Sequence, residues 1–139
     1  MYIFVIRDDE HALVEVDLGN SMFRLTWREQ ASSEVVRRIL IQAHMQVVLY
    51  NLHYWLSDSR TLSMLMPEDE DWIKVTWTPR IFEAGLKRMA IVPSNADLYR
   101  VPLDRIVDGA RAASPFTVQF FECPEDGERW LLGPAVAVA

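Results

Sequence analysis

Cysteine is nearly missing from this chain: among its 139 residues only Cys123 is one, so no internal disulfide can form. The three histidines, His11, His44 and His53, are scattered and form with Cys123 none of the close pairs on which zinc sites are built. A reducing, cytoplasmic setting follows, with no metal and no cofactor expected. Positive charge is also in short supply. Fourteen Lys and Arg stand against twenty Asp and Glu, giving a formal charge of -6. Arg37-Arg38 and Lys87-Arg88 are the adjacent basic pairs, so nothing here attracts a phosphate backbone, and nucleic acid is not an expected partner. Long apolar runs are lacking as well. None approaches the roughly 20 residues that cross a bilayer, and the opening MYIFVIRDD has neither the basic start nor the longer apolar core of an export signal.

What is present has the balance of a folded domain. Half the residues are apolar and 24% are charged, which separates the chain from disordered sequences. A chain of this length buries about two-thirds of its unfolded surface without a disulfide or metal staple. We read residues 1–132 as a single domain and 133–139 as a small, apolar tail with no assigned structure.

Short β-rich runs at 2–6, 11–16 and 22–27, punctuated by Asp8-Asp9-Glu10 and Leu18-Gly19-Asn20, predict a meander of three strands. In the third, Phe23, Leu25 and Trp27 alternate with Arg24 and Thr26, so one face is buried and the other wetter. A helix over 33–51 follows, capped by Ser32 with Glu34 in its first turn. It carries two apolar stripes on nearly opposite sides. Val36, Leu40, Ala43, Val47 and Tyr50 form one; Ile41, Met45, Val48 and Leu52 form the other. One sheet cannot cover both, so a neighbouring helix or a second subunit must cover the latter.

Residues 53–57 read as a strand leading into Asp58-Ser59-Arg60. Pro67 and the acids Glu68 to Asp71 then mark a helix start, and that helix should run to Gly85 with a kink or division at Pro79. Residues 88–92 form a continuous apolar strand, as expected of a central strand covered on both faces. A short helix at 102–112, a strand at 116–122 and a helix at 124–132 complete the order. Three strands followed by alternating helix and strand imply an α/β fold: a mixed sheet with an N-terminal antiparallel meander and flanking helices.

Several segments together carry a family resemblance: WLSDSR at 55–60, PEDEDWI at 67–73, WTP at 77–79 and AGLKRMAIV at 84–92. They resemble the SpoIIAA-like group of STAS-domain proteins, over about residues 22–132. Members typically show an Asp-Asn-Arg-like triplet after a strand, a Pro-Glu-Asp helix start with a Trp soon after, a Trp-x-Pro, and Gly-Leu-(Lys/Arg)-Arg-x-Ala leading into a strand. Two positions depart from that pattern: the triplet is Asp-Ser-Arg, and Met66 stands where a capping Ser or Thr is usual. The resemblance implies a STAS-like α/β fold, related to that of CRAL-TRIO lipid-binding domains. It implies little about activity, because most members of the group have no assigned one.

In an open α/β sheet, ligands bind beyond the carboxyl ends of the strands, and Asp58, Ser59 and Arg60 fall at such an end. Classical STAS regulators resemble this arrangement in having a phosphorylated serine at a strand-to-helix junction, which makes Ser59 a candidate switch. Its phosphate would, however, sit beside Asp58 and near four further acids. The plainer reading has Asp58 capping backbone amides and Arg60 pairing with an acid of the second helix. No Gly-x-Ser-x-Gly elbow is present, and helix-dipole compensation explains the acids at 68–71 without proton transfer, so no enzyme is expected. Trp55, Trp72, Trp77 and Phe82 are candidates for lining a pocket, although Trp72 and Trp77 lie about 140° apart on a regular helix and cannot both face one wall. The alternative is that they are large core fillers.

The sequence therefore suggests a non-catalytic STAS-like regulatory or protein-interaction module, with a protein partner or a homodimer. A carrier of a small apolar or lipid-like ligand, bound between sheet and helices, is the alternative. A phosphoregulated switch at Ser59 stands third.

Overall fold

The computed structural model describes residues 3–113 and 117–133. Tyr2, Phe116 and the tail beyond Gly133, on which expectations were placed, lie outside the described residues. Six strands form one mixed sheet in sequential order: β1 (Ile3–Asp8), β2 (Ala12–Asp17), β3 (Met22–Trp27), β4 (Tyr54–Asp58), β5 (Arg88–Val92) and β6 (Val118–Phe120). The first three make the antiparallel meander, and β3 to β6 run parallel. Parallel neighbours need crossovers. These are α1 (Ser33–Tyr50), a helical unit from Pro67 to Glu83, and α4 (Asp97–Ala113).

Strands laid down in order by crossovers of one hand place those helices on one face. The main core accordingly joins Val14, Phe23, Leu25, Trp55, Met89 and Val118 to Val36, Leu40 and Val47 of α1, to Trp77 and Ile81, and to Leu103 and Ile106 of α4. Within it Trp55 stacks on Phe23 at 4.5 Å between ring centroids and meets Trp77 edge-on at 5.1 Å. The opposite face is covered over β4 and β5 by α5 (Pro124–Leu132), through a smaller cluster of Met22, Leu56, Ala90 and Leu131. Gly127 permits that approach. A Cβ there would lie 3.0 Å from Leu56 and 3.1 Å from Ala90, tighter than ordinary packing.

The long helix expected between Pro67 and Gly85 is divided into α2 (Pro67–Trp72), a π turn (Ile73–Trp77) and α3 (Thr78–Glu83). Pro79 explains the division: it has no N–H for the Val75 carbonyl, and its ring would press on that carbonyl in α-helical register. In the π turn, Thr78 N–H reaches Ile73 O instead. The change of register sends Trp77 into the core, where its indole N–H donates to Leu40 O at 2.7 Å, while Trp72 stays half-buried under the Arg37 guanidinium. Gly85 ends the unit at φ +112°, a conformation that other residues resist.

α4 begins five residues before the expected 102–112. Pro102 inside it would leave the Leu98 carbonyl unbonded, and Leu65 N–H fills that vacancy at 2.9 Å. The same contact ties the 59–66 connection to α4. Gln30 anchors its other side, with Oε1 accepting from the Ser63 and Met64 amides at 2.6 and 3.1 Å.

The acids of α2 are more than dipole compensation. Asp69, 2% exposed, accepts from Arg37 Nε of α1 at 2.8 Å. Glu70 takes both nitrogens of the Arg105 fork of α4 at 2.7 and 2.5 Å, and this pairing holds its carboxyl below the usual range. Neighbouring residues thus clamp α2 to the helices on either side. Arg37→Ala leaves a buried carboxylate unpaired and should lower stability by about 2–4 kcal/mol. Arg105→Ala, which removes the more exposed pair, should cost under about 1 kcal/mol. Urea unfolding of both variants checks the ordering, and equal losses would contradict it.

Candidate functional site

The carboxyl ends of β4, β5 and β6 frame a crevice of about 580 Å³ lined by Arg60, Pro93, Ser94, Asn95, Arg100, Phe120, Phe121 and Glu122. Its place follows from topology, because each parallel strand turns here toward its helix and exposes loop residues around a rigid edge. The volume is that of a small-molecule site.

β4 ends one residue later than expected, on Asp58, and Ser59 N–H extends the sheet by donating to Val92 O at 2.8 Å. Asp58 caps the Arg60 amide at 3.2 Å, as the plainer reading required. The second half of that reading fails. Arg60 pairs with Asp58 itself, Nε to Oδ1 at 2.9 Å and Nη2 to Oδ2 at 2.6 Å, while Asp69 and Glu70 of the second helix are taken by Arg37 and Arg105. That fork raises the Arg60 pKa further and leaves Nη1 uncommitted to Asp58. On the other wall Arg100 is held by Asp104 at 3.2 Å, and its guanidinium lies 4.7 Å from the centroid of the Phe120 ring. Ser94 Oγ accepts from the Ala96 amide at 3.1 Å and shapes the turn into α4.

Directly inside this wall lies a second, apolar cavity of about 90 Å³, bordered by Trp27, Trp55, Leu62, Trp77, Tyr99 and Leu103 among others. Ser59 and Tyr99 line the cavity; their successors, Arg60 and Arg100, line the crevice. The two dipeptides therefore form a partition, dry on one side and charged on the other. Ser59 is 3% exposed and hydrogen-bonded to Tyr99, whose hydroxyl is pushed up to about 12 by burial, with the Ser59 bond pulling in the other direction.

The expected residues divide accordingly. Of the strand-end triplet, Arg60 lines the crevice and Asp58 holds its guanidinium, whereas Ser59 turns into the apolar cavity. Trp55 and Trp77 border the apolar cavity, but Trp72 and Phe82 do not: the π turn keeps Trp72 at the periphery, and Phe82 packs half-buried on the outside of the core. On α1, Ile41, Met45 and Val48 are exposed, whereas Leu52 is fully buried because the chain has already left the helix at Asn51. Leu49, 69% exposed, takes its place on the outer face. Tyr99 and Arg100 lie ahead of the helix that the sequence predicts at 102–112, because a proline such as Pro102 is an ordinary helix start. The local signals of the earlier start are Ser94, whose Oγ accepts from the Ala96 amide just ahead of the helix, and Asp97 in its first turn.

Among the described residues no group of three or more His, Cys, Asp or Glu is placed to hold a metal ion, and no helix is long and apolar enough to cross a membrane. No family model matches the chain, and neither a curated protein nor a solved structure matches it.

The Tyr99 hydroxyl makes folding sensitive to alkali. An unfolded tyrosine loses its proton near pH 10, while the folded one holds it to about 12. Between these values the unfolded state binds fewer protons, so stability falls as pH rises. Thermal unfolding between pH 9 and 12 (about the tyrosine range) should show a loss in the parent chain that Tyr99→Phe reduces. Parallel pH profiles for the two would refute this assignment.

Proposed function

We propose that the chain is a non-catalytic STAS-like binding module whose ligand is a small organic acid. One observation carries the reading: two arginines from different crossovers, Arg60 and Arg100, border the same crevice at the carboxyl edge of the parallel strands. Each is steadied from behind by a carboxylate, and each keeps N–H donors beyond those its carboxylate takes. A carboxylate or phosphate on the ligand accepts from both forks, and a flat or short apolar body packs on Phe120 and Phe121. Glu122 at the rim disfavours a polyanion, which limits the ligand to one acid group.

The order of elements agrees with the STAS-like resemblance, since Asp58-Ser59-Arg60 closes β4, Pro67 opens α2 and Gly85 precedes β5. The acids at 68–71 support a non-catalytic reading through Asp69 and Glu70, which are occupied in holding helices together. An apolar or lipid-like ligand is the weaker alternative: a 90 Å³ cavity is smaller than the roughly 150 Å³ that admits benzene and well below the ~300 Å³ of ordinary ligand pockets. Phosphorylation of Ser59 requires a hydroxyl that is buried against Tyr99 to reach a kinase, so the switch is not part of the proposal.

Phenyl phosphate and benzoate serve as probes, with inorganic phosphate as the minimal anion. Binding that saturates the site about a hundredfold over Kd adds about 2.7 kcal/mol of stability, which thermal unfolding reads directly. Arg60→Gln and Arg100→Gln should each weaken calorimetric binding about tenfold or more. No stabilisation by any probe, or full affinity in both variants, overturns the proposal.

A further inference from the structure

We infer that the outer face of α1 pairs with its own copy, antiparallel, about a two-fold axis passing by Met45. Ile41, Met45, Val48 and Leu49 are 51, 61, 56 and 69% exposed, and they follow one another at helical spacing on the side of α1 away from the core. Scattered exposed apolar residues need no explanation, but four in one stripe do.

Charge along the same helix selects the occupant and its direction. Toward the N-terminus the outer line continues as Glu34 and Arg38, paired with each other at 2.5 Å, whereas the last turn carries no basic residue to meet its carbonyl end. At 1.5 Å per residue, Arg38 lies about 10 Å to one side of Met45 and the Asn51 cap about 9 Å to the other. An antiparallel copy centred on Met45 therefore brings each Arg38 to the partner helix's C-terminal turn, which has no basic residue of its own. It also sets Ile41 against Leu49 and Met45 against Met45. A parallel pair would oppose Arg38 to Arg38 and leave both carbonyl ends uncompensated. The surface is thus self-complementary in one orientation, as an isologous interface requires.

The sheet edge offers a poorer route. β1 is bulged between Val5 and Arg7, ends on Asp8 and is followed by Asp9, features that discourage strand addition. The α1 stripe spans on the order of a few hundred Å², below the ~800 Å² per partner of a standard interface, so the dimer should dissociate in the micromolar range.

Sedimentation velocity between about 1 and 300 µM should show a monomer passing to twice the chain mass. Met45→Glu, which opposes two carboxylates at the axis, should remain monomeric with unchanged circular dichroism. Direction is read by cross-linking in a Cys123→Ser background. Met45→Cys should form a disulfide dimer under mild oxidation, and a mixture of Ile41→Cys and Leu49→Cys chains should cross-link where Ile41→Cys alone does not. A monomer throughout the range, an undiminished dimer in Met45→Glu, or cross-linking of Ile41→Cys with itself overturns the inference.

Discussion

The buried carboxylate of Asp69 is the group on which the helical layer depends. It cannot be left alone at 2% exposure, and Arg37 of α1 is its partner at 2.8 Å. That requirement fixes α1 against α2 more tightly than apolar contact would, because an ion pair has direction as well as strength. Its neighbour Glu70 points the other way and holds Arg105. Two consecutive residues of a six-residue helix thus set the spacing of α1, α2 and α4 over the sheet. The placement of α4 then follows, and with it Tyr99 and Arg100. Leu65, bonded to the Leu98 carbonyl that Pro102 leaves open, adds a second hold on the same helix.

From that placement comes the division at the carboxyl edge. Ser59-Arg60 and Tyr99-Arg100 each turn one residue inward and the next outward, so a dry cavity and a charged crevice share a wall two residues thick. The hydroxyls of Ser59 and Tyr99 satisfy each other on the dry side, where an unpaired polar group is expensive. The guanidinium groups remain on the wet side with donors to spare. The two guanidinium groups are held in place by the fold itself, Arg60 by Asp58 and Arg100 by Asp104 and the Phe120 ring.

Much of this architecture was legible in the sequence. β3 at 22–27, β5 at 88–92 and α5 at 124–132 fall where alternation, an apolar run and a proline at the first helical position put them. Ser32 caps α1 as expected, and Gly85 stops α3. The misreadings share a cause: local signals gave way to partners distant in the chain. The division expected at Pro79 is present and is no misreading, although it takes the form of a π turn that no periodicity announces. Pro102 was tolerated inside α4 because Leu65, distant in sequence, supplied the missing donor. The sequence pairs Arg60 with an acid at 68–71, but Arg37 and Arg105 take two of these, an arrangement that exists only when three helices are side by side. Of the candidate site, Arg60 is readable from the strand-end rule, and Arg100 is not.

The central claim is that the carboxyl-edge crevice, and no other surface, receives a small organic acid. Amide chemical-shift mapping during a titration with phenyl phosphate tests it most directly. The account predicts that the amides of Arg60, Ser94, Asn95, Arg100, Phe121 and Glu122 move together along one saturable curve while those of α1 stay in place. Shifts spread over the whole chain, or centred on α1 with the crevice amides unmoved, would contradict it.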